Sequence, residues 1–283
     1  MTVHVDKQKV MVPKGRVLIV SGSDSGGGAG MQADIKAVTV MGGYAASCLT
    51  ALTVQNTQGV SDILDVPTPF IAAQIQAVLS DIGADTIKTG MLHSREVIEV
   101  VVENWEKFSK PRMIVDPVMV AKGGASLLKD TAIEALMALL VPTSFLLTPN
   151  MPEAGVLMGR DIETLDDMKR AADKLMHQGA QSVLVKGGHG KQKHITDLLA
   201  QQSGFSVFES ARLDTPNTHG TGCTLASAIA ALVAQGQSLE KACPLAIDYV
   251  QNAIKSAPGL GSGHGPLNHL ATMTAYPQRL QDS

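Results

Sequence analysis

Short apolar runs recur along the chain, and between them apolar positions return every three or four residues. Arg16-Val-Leu-Ile-Val-Ser21 is β-branched and apolar and ends in Gly22-Ser-Asp-Ser-Gly-Gly-Gly-Ala-Gly30, which predicts a buried strand feeding a loop. Ile35, Val38 and Met41 share one face of a following helix that Gly42-Gly43 ends. Ala45 to Gln55 is a mixed β-rich stretch, and Ile71, Ile75, Val78 and Ile82 mark a helix opened by Pro67 and Pro69. The rhythm repeats: a strand at Thr86-Ile-Lys-Thr89, a helix from Glu96 to Phe108, a strand at Met113-Ile-Val-Asp116, a helix face at Ile133, Leu136, Met137 and Leu140, and a strand at Phe145-Leu-Leu-Thr148.

The later half continues it. Leu165, Met168, Ala172 and Leu175 form a helix face, Ser182-Val-Leu-Val-Lys186 a strand, and Ile195 to Leu199 and Phe205 to Ala211 two more. Leu225, Ala228, Ile229, Leu232 and Val233 open the first of two closing helices; the second runs from Leu239 through Ala246 and Val250 to Ile254. Alternating strands and helices, with strands apolar throughout, predict a mostly parallel sheet covered on both faces. In such sheets ligands bind beyond the carboxyl ends of the strands. Gly22 to Gly30, Asp116, Thr148-Pro-Asn150 and Lys186-Gly-Gly188 all follow predicted strands, so they are expected on one rim.

Composition narrows the class. At 283 residues, 45% hydrophobic and 17% charged, the chain reads as globular, not disordered or collagen-like. A net charge of −3 without like-charge runs supplies no positive field for a phosphate backbone, so no nucleic-acid partner is expected. Three cysteines, Cys48, Cys223 and Cys243, none in a C-x-x-C pair, argue against a disulfide framework or thiolate zinc site. No apolar run reaches membrane-span length and the first residues lack a signal-peptide core, so a cytoplasmic protein with no membrane partner is expected. Residues 1–15 read as a frayed extension, 16–270 as one domain and 271–283 as a tail.

Four clusters offer chemistry. Gly220-Thr221-Gly222-Cys223 precedes the helix at Leu225, where backbone N–H groups and the helix dipole favour an anion, although a plain glycine-rich helix entry has the same look. Cys223 is expected to have a lowered pKa there, against the packing role of most buried cysteines. The loop Ser23 to Gly30 matches neither a P-loop nor G-x-G-x-x-G; Asp34, one turn into its helix, is either a site carboxylate or solvated. Asn150-Met-Pro-Glu153 sets an amide and a carboxylate three apart, which suits Mg²⁺ and equally suits a helix capping box. Lys186 would be buried at the end of its strand without an anionic partner unless it snorkels to the rim, and Asp116 invites the same argument unless Asp-Pro only starts a turn.

Gly22-Ser-Asp-Ser-Gly-Gly-Gly-Ala-Gly-Met-Gln-Ala-Asp34, Ala51-Leu-Thr-Val-Gln-Asn-Thr57, Lys88-Thr-Gly-Met-Leu92, Asp116-Pro-Val-Met-Val-Ala-Lys122, Thr148-Pro-Asn-Met-Pro-Glu153, Lys186-Gly-Gly-His189 and Asn217-Thr-His-Gly-Thr-Gly-Cys223 together resemble the hydroxymethylpyrimidine/phosphomethylpyrimidine kinases of thiamine biosynthesis. The resemblance runs from about Arg16 to Ala257 and implies a three-layer α/β/α ribokinase-like fold. It implies ATP-dependent phosphorylation of 4-amino-5-hydroxymethyl-2-methylpyrimidine and then of its monophosphate. The pyrimidine would lie against Gly22, Ala29, Asp34, Gln55, Met91 and Val118, with Cys223 near the reacting hydroxyl. Gly220, Thr221, Gly222 and Cys223 would form the anion hole, Lys186 would touch the ATP phosphates, and Asn150, Glu153 and Asp116 would organise Mg²⁺ directly or through water. A homodimer is also implied. Cys223 stands where many ribokinase-like enzymes carry Asp, which favours this narrower family over a sugar kinase. A pyridoxal/pyridoxine kinase and a catalytically silent vitamin-binding protein are the competing readings, and neither the N-terminal extension nor His219 has a legible role.

Overall fold

The computed structural model describes residues 12–119, 130–188, 193–271 and 273, so residues 1–11, most of the tail, and Lys122 and His189 of the motifs lie outside the described residues. The strands are β1 (Arg16–Asp24), β2 (Tyr44–Asn56), β3 (Gly59–Asp65), β4 (Thr86–Thr89), β5 (Arg112–Val115), β6 (Ser144–Leu147), β7 (Val183–Val185), β8 (His194–Gln201) and β9 (Gly204–Ala211). The helices are α1 (Gly30–Val40), α2 (Thr68–Asp81), α3 (Arg95–Lys107), α4 (Asp130–Ala135), α5 (Val141–Thr143), α6 (Met151–Met158), α7 (Leu165–His177), α8 (Thr221–Ala234) and α9 (Leu239–Lys255). A π-helical stretch, Leu136–Leu140, joins α4 to α5.

The described strands form one sheet in the order β3-β2-β1-β4-β5-β6-β7-β8-β9. The six from β2 to β7 are parallel, while β3, β8 and β9 join antiparallel at the two edges. Alternation along β1 explains the layering: Leu18 and Val20 face a core with residues of α2, α3, α6 and α7, and Val17 and Ile19 face a second core with residues of α1, α8 and α9. All four side chains are fully buried, and each contributes on the order of 1.5–3 kcal/mol by leaving water. Helix α8 is buried from Thr224 to Ala231 because it is packed between the sheet, α1 and α9, and its small Ala and Ser residues permit that close approach.

β3 was not expected from the sequence. Its residues are exposed or half-buried, so Gly59-Val-Ser-Asp-Ile-Leu-Asp65 shows no apolar stripe, and only its ladder with β2 makes it a strand. Among the described residues no helix is long and apolar enough to cross a membrane.

Candidate active site

Because β1, β4, β5, β6 and β7 run in parallel, the segments leaving their carboxyl ends gather on one rim, and the first turn of α8 meets them there. The contacts form a continuous series. A methyl group on Gly22 would lie 2.6 Å from Met91 Cε and push that side chain aside, while one on Gly220 would overlap the carbonyl of Gly28, so Gly220 requires glycine. Gly220 also stands at φ 82°, in the left-handed region, which turns the chain into α8. A methyl group on Gly222 would lie 3.3 Å from Lys186 Nζ and 3.8 Å from Asp116 Oδ2. The first turn of α8 thereby lies beside a carboxylate and a lysine that follow β5 and β7.

Lys186 Nζ donates to Asp116 Oδ1 at 2.8 Å, and Thr148 Oγ1 donates to the same oxygen at 3.1 Å. Burial works against the Lys186 charge, but Asp116 and Glu153 outweigh it and hold its pKa above the ordinary lysine value. Burial likewise pushes Asp116 upward, and Lys186 and Lys88 more than reverse this, so it stays ionised. The snorkelling and turn-only readings therefore fail at these two residues: the lysine has its anionic partner within the protein. Gly187, next in the chain, donates its N–H to Asp197 Oδ1 at 2.8 Å and approaches Thr196 too closely for any side chain.

Asn150 and Glu153 realise the capping box at the start of α6. Asn150 Oδ1 accepts from the Glu153 N–H at 2.8 Å, and Glu153 Oε2 accepts from the Asn150 N–H at 2.8 Å. Glu153 Oε1 also accepts from the Met119 N–H at 3.4 Å, which ties α6 to the segment after β5. Burial raises the Glu153 pKa, opposed by Lys186. As a metal site the donors fit Mg²⁺ modestly. Asp116 Oδ2 makes no hydrogen bond among the described residues and faces α8, and no group of three or more His, Cys, Asp or Glu among those residues forms a cage. Few protein ligands and several waters or phosphate oxygens is how Mg²⁺ is ordinarily held.

Two expectations are corrected. Asp34, expected against the ligand, lies beneath the rim with no exposed surface, and its oxygens are taken by Lys88 Nζ at 2.8 and 2.9 Å and by Ser227 Oγ at 2.7 Å. Burial pushes its pKa up while Lys88 and Ser227 draw it down. Cys223, expected to have a lowered pKa, has it pushed up to about 11: burial outweighs Lys88 and the facing Gly30 amide. The thiol is the resting form at neutral pH. Lys88, in contrast, was missed. Burial opposes its charge, but Asp34, Cys223 and Asp116 surround it and raise its pKa, so a cation sits directly under the rim.

On the other side of α8 the loop after β1 wraps a carboxylate. Asp24 accepts from the N–H groups of Gly26, Gly28 and Ala29 at 2.8, 3.0 and 2.8 Å. His219 Nε2 lies 2.9 Å from Asp24 Oδ2, and Gln55 Nε2 lies 3.3 Å from the same imidazole nitrogen. Burial pushes Asp24 upward, but His219 and the loop amides hold its pKa below the usual carboxylate range. Neither Asp24 nor His219 carries a sequence signal, since the two are 195 residues apart. Val118, half-buried beyond Asp116, stands at φ 39°, a rare conformation for a β-branched residue.

Comparison with known proteins adds names to this geometry. Residues 24–268 match the family model for phosphomethylpyrimidine kinase. The chain is 46% identical over 257 residues to the hydroxymethylpyrimidine/phosphomethylpyrimidine kinase of Bacillus subtilis, covering 90% of this chain and 95% of that one. It is 50% identical over 258 residues to the thiamine biosynthesis bifunctional protein ThiED of Geobacter sulfurreducens, 91% of this chain but only 53% of that protein, so it spans about half the fused relative. Among solved structures, an ADP complex of Bacillus subtilis pyridoxal kinase superposes with a TM-score of 0.86 at 34% identity, covering 93% of this chain and all of that one. The phosphomethylpyrimidine kinase of Clostridium difficile does so with a TM-score of 0.76 at 40% identity, covering 85% of this chain and all of that one.

Proposed function

The chain belongs to the phosphomethylpyrimidine kinase family, and on that footing we propose that it transfers the γ-phosphoryl group of ATP to the hydroxymethyl oxygen of 4-amino-5-hydroxymethyl-2-methylpyrimidine and then to the phosphate so formed. In each step the acceptor oxygen bonds to the γ-phosphorus, the bond to the β,γ-bridging oxygen breaks, and ADP leaves. One observation carries the reading: Gly222, in the first turn of α8, comes so close to the Lys186 ammonium and Asp116 that a methyl group there would lie 3.3 and 3.8 Å from them, which sets a helix N-terminus beside a paired lysine and carboxylate.

Gly220, Thr221, Gly222 and Cys223 are the donors that would hold the transferring group, and Lys186 adds a full positive charge already in place before the ligand arrives. Gly22, Ala29, Gln55, Met91 and Val118 would line the pyrimidine. Asp34 is reassigned to the layer beneath, where it holds Lys88. Cys223 lies close enough to this layer to feel Lys88, Asp34 and Asp116. Because its thiol rests protonated, the acceptor alcohol keeps its proton until the new phosphorus–oxygen bond is well formed and then gives it up to water, which a loose transition state allows. Asp116 would hold Mg²⁺, with Glu153 behind it and Asn150 fixing Glu153. When bound, that ion neutralises charge on the phosphates.

ADP release should be measured with the pyrimidine alcohol, with its monophosphate and with pyridoxal, side by side. Turnover of both pyrimidines is the expected result. The likeness to a pyridoxal kinase structure favours one second reading, and turnover of pyridoxal alone would select it. ADP release with none of the three would leave a silent vitamin-binding protein. A cytoplasmic location belongs to the same reading, since ATP is the donor. So does a homodimer: Leu52, Val54 and Leu64 lie exposed on one face of the β2–β3 ribbon, and sedimentation velocity of Leu64→Glu against the unmodified protein tests whether that face is covered by a second copy.

A further inference from the structure

Where the loop after β1, the end of β2 and the approach to α8 meet, two hydrogen-bonding conflicts share one side chain. His219 Nε2 sits between Asp24 Oδ2 and Gln55 Nε2, at 2.9 and 3.3 Å. One ring nitrogen cannot donate to a carboxylate and also accept from an amide NH₂. Asp24 decides the matter, because an ionised carboxylate only accepts; Nε2 must carry a proton, in the neutral ring and in the imidazolium alike. At the other end of the amide, Thr53 Oγ1 donates its single proton to the Ser23 carbonyl at 2.7 Å, so its 3.2 Å contact with Gln55 Oε1 sets two acceptors face to face. Rotating the Gln55 amide by half a turn removes both conflicts. The NH₂ then donates to Thr53 Oγ1, and the amide oxygen accepts from His219 Nε2–H, shared with Asp24.

We propose that His219 is a positioning residue that fixes the Gln55 amide with its oxygen toward the imidazole and its NH₂ toward Thr53, and thereby sets which hydrogen-bonding edge of a ring the site accepts. This rests on the reading that Gln55 faces the pyrimidine. With its orientation fixed, the amide presents its remaining lone pair and remaining N–H in one order only. An aminopyrimidine offers a matching donor beside an acceptor, whereas a pyridine alcohol without that amino group does not use both. The imidazole is itself held tightly. A methyl group on Gly28 would lie 2.6 Å from His219 Cδ2, so one side of the ring packs against bare backbone, and Asp24 Oδ2 holds Nε2 at 2.9 Å.

Three variants and one spectrum test the proposal. In the unmodified protein, ¹⁵N–¹H correlation should place the His219 proton on Nε2. His219→Leu should raise Kd and KM for the pyrimidine alcohol by about tenfold, the scale of one lost hydrogen bond, with a smaller change in kcat and in the affinity for pyridoxal. His219→Gln, whose terminal NH₂ can replace Nε2–H, should restore most of the discrimination. Equal losses for both alcohols without rescue by Gln would show a merely structural role and overturn the proposal. A ring protonated on Nδ1 alone would overturn it too, while leaving the substrate-site reading intact. Unchanged pyrimidine binding in Gln55→Leu would instead sink that reading and the ring-edge claim with it, whatever the tautomer.

Discussion

Removing either member of the Asp34–Lys88 pair should damage the fold far more than removing both. Neither side chain has exposed surface, and the ammonium lies 2.8 and 2.9 Å from the two carboxylate oxygens. Asp34→Asn leaves Lys88 as a buried cation whose nearest counter-charge is gone, and Lys88→Met leaves a buried anion with only Ser227 for company. Breaking a buried pair from one side costs about 3–5 kcal/mol, against a total stability on the order of 5–15 kcal/mol. At roughly 2–4 °C per kcal/mol for a chain of this size, each single variant should melt roughly 6–20 °C lower. The double variant Asp34→Leu/Lys88→Met removes both charges and fills the space with apolar groups, so its loss should be smaller than that of either single variant. Thermal unfolding of the four proteins followed by circular dichroism completes the cycle. If the two single losses simply add in the double variant, the residues are not coupled and the pair is not what keeps Lys88 charged under the rim.

Four further outcomes are expected. Because the Cys223 thiol rests protonated near neutral pH, it can serve as a base only as pH rises toward about 11: the alcohol rate of the unmodified enzyme should climb over that range, the monophosphate rate should not, and in Cys223→Ala the climb should vanish while the rates near neutral pH stay close to those of the unmodified enzyme. Glu153→Gln keeps an acceptor for the Asn150 N–H of the capping box but turns an NH₂ toward the Met119 N–H and removes the charge, so the protein should stay folded with a slightly lower melting temperature while the Mg²⁺ concentration needed for half-maximal turnover rises by about tenfold; an unchanged Mg²⁺ curve would confine Glu153 to capping. Gly222→Ala puts a methyl 3.3 Å from Lys186 Nζ, which should weaken ATP binding measured by calorimetry more than pyrimidine binding. Burial pushes His269 down to about 4 from an ordinary 6.5, so the unfolded chain takes up its proton first on acidification. The stability that this neutral ring permits is complete above 6.5 and is lost as pH falls toward 4; urea unfolding of His269→Gln should show a flatter profile across that window.

The sheet was readable because a parallel strand covered on both faces is apolar at most positions, and Val17 to Val20 and Val183 to Val185 are so without any alternation. Strand β3 has the opposite character: its side chains face water, and its partner is known only once β2 has been placed. The rim was legible from strand ends, and the capping box from the spacing of Asn150 and Glu153, since both are local patterns. Lys88 was not, because one lysine in a short strand looks the same whether it snorkels or meets a carboxylate 54 residues away. The same limit hid Asp24 and His219. The direction of the Cys223 shift was misread because a helix N-terminus is visible in sequence and the protein atoms that other segments bring around the half-buried thiol are not.

The order of the sheet also governs when this site can exist during synthesis. From β5 onward each strand is laid beside its predecessor, so most of the sheet can grow in step with the emerging chain. The rim cannot. Asp34 waits for Ser227, 193 residues later, and Asp24 waits for His219, 195 residues later. Until α8 docks against α1, the carboxylates of Asp24 and Asp34 lack these partners, and no anion cradle faces Lys186. Closing so long a loop is slow but adds only modestly to the entropy cost, because that cost grows with the logarithm of loop length. A chain halted before α8 would therefore hold most of its sheet and have no means of binding a phosphoryl group, so activity regained on refolding reports α8 docking and not sheet formation.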